Sequence, residues 1–171
     1  TPLSNGFFAS RVDGGNLSYV VQTANPSAYW VIDGNKRYIA DSATSDAWLG
    51  EGVVPPLYSD ESVAFLTQNP NNATNLVNVP GSPYTYIMLN GKRHYLSTQH
   101  AKDAWAGVTI PISRQLLESV NEGSFLNYLI QTPAGQSYLL MNGKKYPIED
   151  GFKDAWGVGV STPTVSATSL N

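Results

Sequence analysis

The sequence predicts an α+β fold made of three tandem repeats of about 52–57 residues that share one core. The first observation is a tyrosine that precedes a tryptophan by ten positions three times along the chain. The second is an Asp-Gly or Asn-Gly turn, flanked by apolar and aromatic residues, upstream of each of these tryptophans. Repetition at this period is typical of units that bury a shared core by stacking on one another. The three pairs are Tyr38 and Trp48, Tyr95 and Trp105, and Tyr146 and Trp156.

The repeats are predicted to form a single domain over residues 1–171, with boundaries near 15–68, 69–122 and 123–171. A chain of this length is long enough to bury one continuous core. No long linker separates the repeats, and the loosest stretch, "LTQNPNNATN", is interpreted as an insertion loop and not as a domain boundary.

Each repeat is predicted to begin with a strand that leads into a β-hairpin. The hairpin sequences are "AYWVIDGNKRYIA", "TYIMLNGKRHYL" and "SYLLMNGKKYPI", each with a turn dipeptide in which glycine accepts a positive φ. Strand alternation then puts Tyr29 with Val31, and Tyr86 with Met88, on one face. The leading strands are "NLSYVVQT", "TNLVNVPG" and "FLNYLIQT".

Two helices are expected after each hairpin. The first is a short helix of about two turns at the tryptophan, with polar residues to cap its start and glycine to end it. The second is amphipathic and is clearest in "SRQLLESVNEG", where Leu116, Leu117 and Val120 share a stripe and Gly123 ends the helix. These predicted helices count against the alternative fold, an all-β trefoil or propeller-like lectin.

Composition restricts the class of function. A net charge of −3 and a pI near 5.2 argue against a nucleic-acid partner bound through a general basic field. The chain has no cysteine, which removes disulfides, thiolate metal sites and cysteine nucleophiles. No apolar run approaches the roughly 18 residues of a membrane span. A charged fraction of 13% beside ten tyrosines favours a secreted or cell-surface location.

The residues that carry chemistry do not predict an enzyme, a metal site or a cofactor. His94 and His100 stand where the first repeat has Arg37 and Ala43, and neither a HExxH motif nor a cysteine pattern accompanies them. One aspartate precedes each tryptophan by two positions, but the three belong to separate repeats and form no catalytic pair. These aspartates are Asp46, Asp103 and Asp154.

The order of strand, hairpin with "DGNKRYI" or "NGKKYPI", "DAWG" helix and "S..LLE" helix resembles a repeat of exported Gram-positive, especially actinobacterial, proteins. That repeat carries a "vYLv.dGkkr.Ip....f.alG" pattern and often accompanies cell-wall hydrolases or other surface proteins. The chain is similar, more remotely, to repeats in a periplasmic subunit of type VII secretion machines and to a cell-wall-binding subunit of a phage lysin. The resemblance implies an envelope or cell-wall setting. Tryptophan stands here where the family usually has leucine.

A pair of basic residues follows each hairpin turn, beside a tyrosine. Six of the ten basic residues lie in these pairs, which predicts three cationic patches for the phosphate or carboxylate groups of an anionic polymer. The competing interpretation is that these charges discourage pairing at strand edges. Trp30 is added as a tryptophan without a tryptophan counterpart in the other repeats. The predicted ligand-binding residues are Lys36, Arg37, Tyr38, Lys92, Arg93, Tyr95, Lys144, Lys145, Tyr146 and Trp30.

The predicted function is a non-enzymatic, exported module that binds a carbohydrate or cell-envelope polymer through repeated shallow sites. Several weak sites on one chain would combine through effective concentration. The alternative is a structural surface protein or assembly subunit that makes protein–protein contacts, through self-association or with a surface-protein partner. The tryptophans of the repeat are interpreted as core residues in preference to sugar platforms, because their fixed place suits a packing wedge.

Overall fold

The computed structural model describes residues 17–24, 27–149, 152, 153, 155 and 162–165, with the backbone alone at 27 and 28. Within these residues the chain forms twelve strands in three sheets together with four helices, and the sheets do not close into a barrel. The α+β prediction is therefore confirmed, and the all-β alternative is wrong. None of the helices in these residues has the length and apolar character needed to cross a membrane.

The three sheets follow one another along the chain, and each consists mainly of short strands. The first sheet contains β1 (Val20–Ala24), β2 (Ser27–Ile32), β3 (Lys36–Ile39) and β4 (Leu57–Tyr58). The second contains β5 (Leu76–Asn78), β6 (Thr85–Leu89), β7 (Lys92–Leu96), β8 (Thr109–Pro111) and β9 (Asn121–Glu122). The third contains β10 (Leu129–Gln131), β11 (Ser137–Met141) and β12 (Lys144–Ile148). The helices are α1 (Ser42–Leu49), α2 (Asp60–Ala64), α3 (Gln99–Trp105) and α4 (Arg114–Ser119).

The sheets share a strand order. In the first, the order is β3-β2-β1-β4, and in the second the corresponding strands run β7-β6-β5-β8, with β9 added beyond β7. In the third sheet the order is β12-β11-β10, and Thr164 forms a parallel β-bridge with Gln131 of β10. The segment after each tryptophan thus returns beside the leading strand, an additional pairing that the sequence analysis did not predict.

The strand pairings do not make Tyr29 the counterpart of Tyr86, although the sequence analysis described these two tyrosines in parallel. The second and third hairpins have two-residue turns in which Asn90 and Asn142 adopt positive φ, whereas three residues separate Ile32 from Lys36 in the first. Trp30, and not Tyr29, therefore occupies the position of the upstream tyrosines of the other hairpins. The corresponding cross-strand pairs are Trp30 with Tyr38, Tyr86 with Tyr95, and Tyr138 with Pro147.

In this register Tyr146 is also not the counterpart of Tyr38 and Tyr95, with which the sequence grouped it. Tyr146 lies opposite Leu139, which is the position of Arg37 opposite Val31 in the first sheet. In the second sheet the same position belongs to His94. The basic pairs after the turns are consequently displaced by one residue between the first hairpin and the other two.

The short helices begin as predicted, and the second helix is shorter than predicted. The side chain of Asp41 caps α1 by accepting from the Thr44 N–H, and Thr98 caps α3 in the same way. Helix α4 ends at Ser119 because the next residues form β9, which pairs in parallel with β7. Of the third repeat, residues 152, 153 and 155 are helical, and its second helix lies outside the described residues.

The second sheet lies between two hydrophobic cores. Its residues Val77 and Met88 pack with Val20 and Val31 of the first sheet. Neighbouring residues on the opposite face, such as Ile87, pack with residues of the third sheet. The two cores therefore meet the two faces of one sheet, as strand alternation allows. Members of the second core include Leu76, Ile87, Leu89, Leu96, Ala101, Ala104, Ile130 and Leu140.

Candidate interaction surfaces

Arg37 is buried and holds two segments of backbone. Only 5% of the residue is exposed, and its guanidinium donates to the carbonyl oxygens of Asn71 at 3.4 Å and Pro111 at 3.2 Å. Burial lowers the pKa of Arg37, and the charge of Asp33 opposes this shift. These contacts make Arg37 a link between the first and second sheets, and leave little of it for an external ligand.

The second basic pair is also engaged with its own chain. Arg93 donates to the carbonyl oxygen of Leu117 and lies 3.1 Å from the carboxylate of Glu122, which is exposed. Lys92, the other member, is exposed. An ion pair with an exposed partner contributes at most about 1 kcal/mol, so Arg93 acts mainly by binding the Leu117 carbonyl beneath it.

His94 makes an interior contact. From the sequence, this histidine was interpreted only as a substitution for Arg37 of the first repeat. The residue is 8% exposed, and its Nδ1 lies 2.8 Å from the carbonyl oxygen of Ser124. Since a carbonyl only accepts, the neutral ring donates from Nδ1. Burial lowers the pKa of His94, while the Ser124 carbonyl opposes the shift and Lys92 adds to it. His94 therefore belongs to the folding of this segment, and His100 is exposed.

Tyr95 is the centre of an aromatic cluster on the second sheet. Its ring makes edge-to-face contacts with Tyr84 at 5.2 Å and Phe125 at 5.8 Å, and a tilted contact with Tyr86. Tyr84 and Phe125 are 50% and 65% exposed, so the cluster reaches the surface. Aromatic pairs of this geometry add to the stability of a sheet.

Trp30, Lys36 and Tyr38 lie together on the outer face of the first sheet. The rings of Trp30 and Tyr38 meet edge to face at 5.5 Å, and the Lys36 ammonium lies 5.1 Å from the Trp30 ring centre. Lys36 also donates to the Val63 carbonyl at 3.3 Å, and Trp30 donates to the Thr23 hydroxyl at 3.2 Å. Three predicted residues thus form one half-exposed aromatic and cationic surface, which we call the first-sheet face.

The remaining predicted residues lie on β12, the last strand of the third sheet. Lys144, Lys145 and Tyr146 are exposed, and so is Pro147 beside them. Proline is tolerated on an edge strand, where its missing N–H breaks no ladder bond. The ten predicted residues therefore lie in three different settings, namely the first-sheet face, the contacts in and around the second sheet, and strand β12. They do not form three equal patches. Ligand binding by any of them stays a prediction.

Between one sheet and the next, the connecting chain runs beside the second strand of the preceding hairpin. We call each of these two connections a passage. After the first hairpin, the Ala73 N–H donates to the Tyr38 carbonyl at 2.8 Å. After the second, the Leu126 N–H donates to the Tyr95 carbonyl at 3.0 Å. Arg37 and His94 add side-chain bonds to this leading chain, at Asn71 and Ser124. Both passages between sheets therefore use the same edge position.

A second contact repeats at both passages. The turn glycine of the following hairpin donates its N–H to the alanine before the tryptophan, from Gly91 to Ala47 at 3.0 Å and from Gly143 to Ala104 at 2.8 Å. Each tryptophan then binds the leading chain through its indole N–H. Trp48 donates to the Thr74 carbonyl and Trp105 to the Asn127 carbonyl, both at 3.1 Å. Trp48 is fully buried, in agreement with the core interpretation, Trp105 is half-buried, and Trp156 lies outside the described residues.

Asp33 is a structural residue that the sequence analysis missed. Its carboxylate accepts from the Ser113 N–H at 2.7 Å, across 80 positions in sequence. The side chain thereby joins the first turn to the start of α4. Only the turn propensity of Asp-Gly is visible in the sequence, so no local signal indicates this distant partner.

A cleft of about 510 Å³ lies along the passage between the sheets. Trp105 lines it together with Asp41 and Lys145, among small apolar residues. Asp41 already caps α1 through one oxygen. The described residues contain no group of three or more His, Cys, Asp or Glu side chains placed to hold a metal ion.

The sequence matches no protein-family model and no curated protein. Among solved structures, it is similar to a chain of the periplasmic assembly from the ESX-5 inner membrane complex, at 12% identity and a TM-score of 0.29. A chain of an intact ESX-5 inner membrane complex matches at 13% identity and a TM-score of 0.28. A chain of the EccB3 dimer from the ESX-3 core complex matches at 11% identity and a TM-score of 0.27.

These alignments cover 95%, 95% and 90% of this chain, but only 60%, 52% and 61% of the respective matched chains. The chain therefore spans between half and about three fifths of the structures that it matches. TM-scores of this size are too low to assign a fold or a function from those proteins.

Proposed function

We propose that the chain is a non-enzymatic, exported structural module made of three repeats of one unit, and that it makes protein–protein contacts through its terminal sheets. The repeat interpretation is supported by the shared strand order and by the hydrogen bonds that recur at both passages between sheets. Units that stack in this way bury their inner faces against neighbouring units.

The proposal is supported by a difference between two equivalent aromatic positions, Tyr86 in the second sheet and Trp30 in the first. Tyr86 of the second sheet packs against the core that it shares with the first sheet. Trp30, its counterpart by register, lies on the first-sheet face beside Tyr38, which is 36% exposed. Tryptophan and tyrosine, the two aromatic residues of this face, are enriched at protein interfaces.

Photo-crosslinking at Tyr38 tests this proposal. The chain would carry a benzophenone amino acid in place of Tyr38 and be irradiated in cells that export it. We expect adducts of discrete mass that are sensitive to protease, and we expect them to weaken when Trp30→Ala is added. The matched control places the same crosslinker at Val54, which is 77% exposed and lies outside the first-sheet face. Adducts that equal this control would contradict the proposal.

A second candidate function is binding of a carbohydrate or anionic cell-envelope polymer. The observation that favours it is the 510 Å³ cleft, where half-buried Trp105 offers a ring and Lys145 a cation. Sugars stack on aromatic rings, and cations bind the phosphate or carboxylate groups of such polymers. Isothermal titration with soluble cell-wall fragments would test it. Lys145→Glu should abolish the heat of binding, and Lys144→Glu, outside the cleft lining, serves as the control.

A further inference from the structure

We propose that the cleft beside Trp105 binds an aromatic ring that carries a hydroxyl group, supplied by a tyrosine side chain of a partner protein. This inference rests on the proposed function only in taking a protein as the source of the ring, and it does not involve the first-sheet face. It gives the cleft a ligand different from the polymer of the second candidate function. The first repeat shows the same kind of contact, made there by the chain's own tyrosine.

The first step is the contact that fills the corresponding place in the first repeat. The ring centre of Tyr19 lies 6.3 Å from that of Trp48 in a tilted arrangement, and the Tyr19 hydroxyl donates to the Trp48 carbonyl at 3.3 Å. Leu49 packs against the same core, and Trp48 is fully buried. A phenol ring is therefore a group that the tryptophan of this repeat accepts beside it.

The second step is the residue that replaces this tyrosine in the second repeat. The Tyr19 carbonyl accepts from the Ile32 N–H at 2.8 Å. The Asn75 carbonyl accepts from the Met88 N–H at the same distance, so Tyr19 and Asn75 hold the same place before the leading strand. In the third repeat this place belongs to Tyr128, whose carbonyl makes the same contact at 2.8 Å. Asparagine therefore stands in the second repeat where the first and third have tyrosine.

The third step is the space that this replacement leaves. Asn75 and Trp105 both line the cleft of about 510 Å³, and Trp105 is half-buried where Trp48 is fully buried. The residue after the tryptophan is also smaller, since Ala106, which lines the cleft too, stands at the position of Leu49. Two smaller side chains thus leave room beside Trp105. The volume lies within the range of about 300–1,000 Å³ that is typical of ligand sites.

The fourth step is the set of polar groups beside this space. The carbonyl oxygen of Trp48 accepts from Tyr19, and the corresponding oxygen belongs to Trp105. The Trp105 oxygen lies beside the cleft, because a Cβ on Gly143, which lines the cleft, would be 3.7 Å from it. The buried Oδ1 of Asn75 has no hydrogen-bond partner among the described residues, which is uncommon in folded proteins. A ring with a hydroxyl therefore suits this place better than a purely apolar ring.

N-acetyl-L-tyrosinamide is a probe for the ring without the partner. A titration followed by the indole N–H resonance of Trp105, assigned with Trp105→Phe, should give a Kd on the order of 1 mM, as expected for a fragment of this size. N-acetyl-L-phenylalaninamide lacks the hydroxyl and should bind about two- to tenfold more weakly. Soluble cell-wall fragments should leave the resonance unchanged.

Asn75→Tyr tests whether the ring belongs in this place. The variant should fill the cleft with its own ring, as Tyr19 does beside Trp48, and should weaken binding of the probe by about tenfold or more. Asn71→Tyr is the matched control, because Asn71 is exposed and lies outside the cleft lining. We expect Asn71→Tyr to bind the probe like the unmodified chain.

Photo-crosslinking at Val108 tests whether a protein supplies the ring. Val108 lines the cleft and is 68% exposed, so a benzophenone amino acid there can reach a bound partner. In cells that export the chain we expect protease-sensitive adducts of discrete mass, which the tyrosinamide probe at about ten times its Kd should reduce. The same crosslinker at Val54, outside the cleft lining, gives the background. This competition needs no substitution at Asn75, so it holds even where Asn75→Tyr fails to fold.

The inference would be overturned by a Trp105 resonance that does not respond to the probe, by equal binding of the tyrosine and phenylalanine amides, or by unchanged binding in folded Asn75→Tyr. A response to cell-wall fragments in its place would favour the polymer, and adducts at Val108 that equal the background would remove the protein source. The proposed function fails separately. Adducts at Tyr38 without any probe binding would retain it, whereas competed adducts at Val108 without adducts at Tyr38 would retain the inference and remove the first-sheet face.

Discussion

The N–H of Gly91 donates to the carbonyl oxygen of Ala47 at 3.0 Å, which joins the second hairpin turn to the helix of the first sheet. The approach is so close that a Cβ at position 91 would lie 2.6 Å from the carbonyl oxygen of Leu49. Glycine is required here for space as well as for its positive φ.

Gly91→Ala should therefore cost more stability than Gly34→Ala. Both glycines have nearly the same φ, which costs an alanine about 1–2 kcal/mol, but only position 91 adds a collision with backbone. We expect the free energy of unfolding to fall by at least about 1 kcal/mol more for Gly91→Ala. Chemical denaturation followed by circular dichroism measures both. Equal losses would show that the backbone at Leu49 moves away without cost.

Arg37→Met tests the interior role of the first basic pair. Methionine fills a similar volume but leaves the carbonyl oxygens of Asn71 and Pro111 without their donor, at a cost of about 2–3 kcal/mol. Lys144→Met makes the same change of charge on exposed β12 and should stay within about 0.5 kcal/mol of the unmodified chain. Thermal unfolding at one pH compares the two. A stable Arg37→Met variant would contradict the structural role.

Trp48→Phe should destabilise the chain more than Trp105→Phe. Each substitution removes an indole hydrogen bond to the leading chain of the next sheet. Trp48 is fully buried and leaves a cavity, while Trp105 is half-buried beside the cleft and allows water to enter. We expect a loss of about 2–3 kcal/mol at position 48 and less at 105, measured by denaturation with far-ultraviolet detection.

Acidification should destabilise the fold through His94. Its folded pKa lies below the ordinary value of about 6.5, so the unfolded chain takes up a proton first as the pH falls. The stability that neutral His94 provides is present above pH about 6.5 and is lost as the pH falls toward the lowered pKa of the folded state.

His94→Gln should flatten this part of the pH profile, because glutamine can donate to the Ser124 carbonyl without titrating. His100→Gln, at an exposed position, is the matched exchange of imidazole for amide, and the melting temperatures of both variants would be followed between pH 7.5 and 5.5 (about one pH unit either side of 6.5). A profile that keeps its slope in His94→Gln would assign the acid sensitivity to other groups.

The hairpins, turns and helix starts could be predicted from the sequence because their causes are local. The Asn-Gly turns at 90 and 142, and the capping side chains of Asp41 and Thr98, all have the predicted form. The register of the strand pairs has no local cause of this kind. Counting from tyrosine to tryptophan hides the longer turn of the first hairpin, so Trp30 was separated from its true counterparts Tyr86 and Tyr138.

The surroundings of the candidate residues could not be predicted, because they depend on pairings distant in sequence. Nothing near Asn121 indicates a strand, and only its pairing with Lys92 ends α4 early. Arg37 and Lys36 look alike in sequence, yet strand alternation sends the first toward the second sheet and the second toward Trp30. The basic pairs were therefore correctly located on strands, while their exposure depended on the neighbouring sheet.

Ile87 and Met88 are adjacent in the chain but belong to different hydrophobic cores. Strand β6 thus couples the first and second cores thermodynamically, since opening it exposes apolar surface of both, while opening β2 exposes that of the first core alone. The amides of β6 should accordingly exchange with solvent deuterium more slowly than those of β2. Among the described residues, the second sheet is therefore a main source of cooperative unfolding, and the first sheet can open locally without exposing both cores.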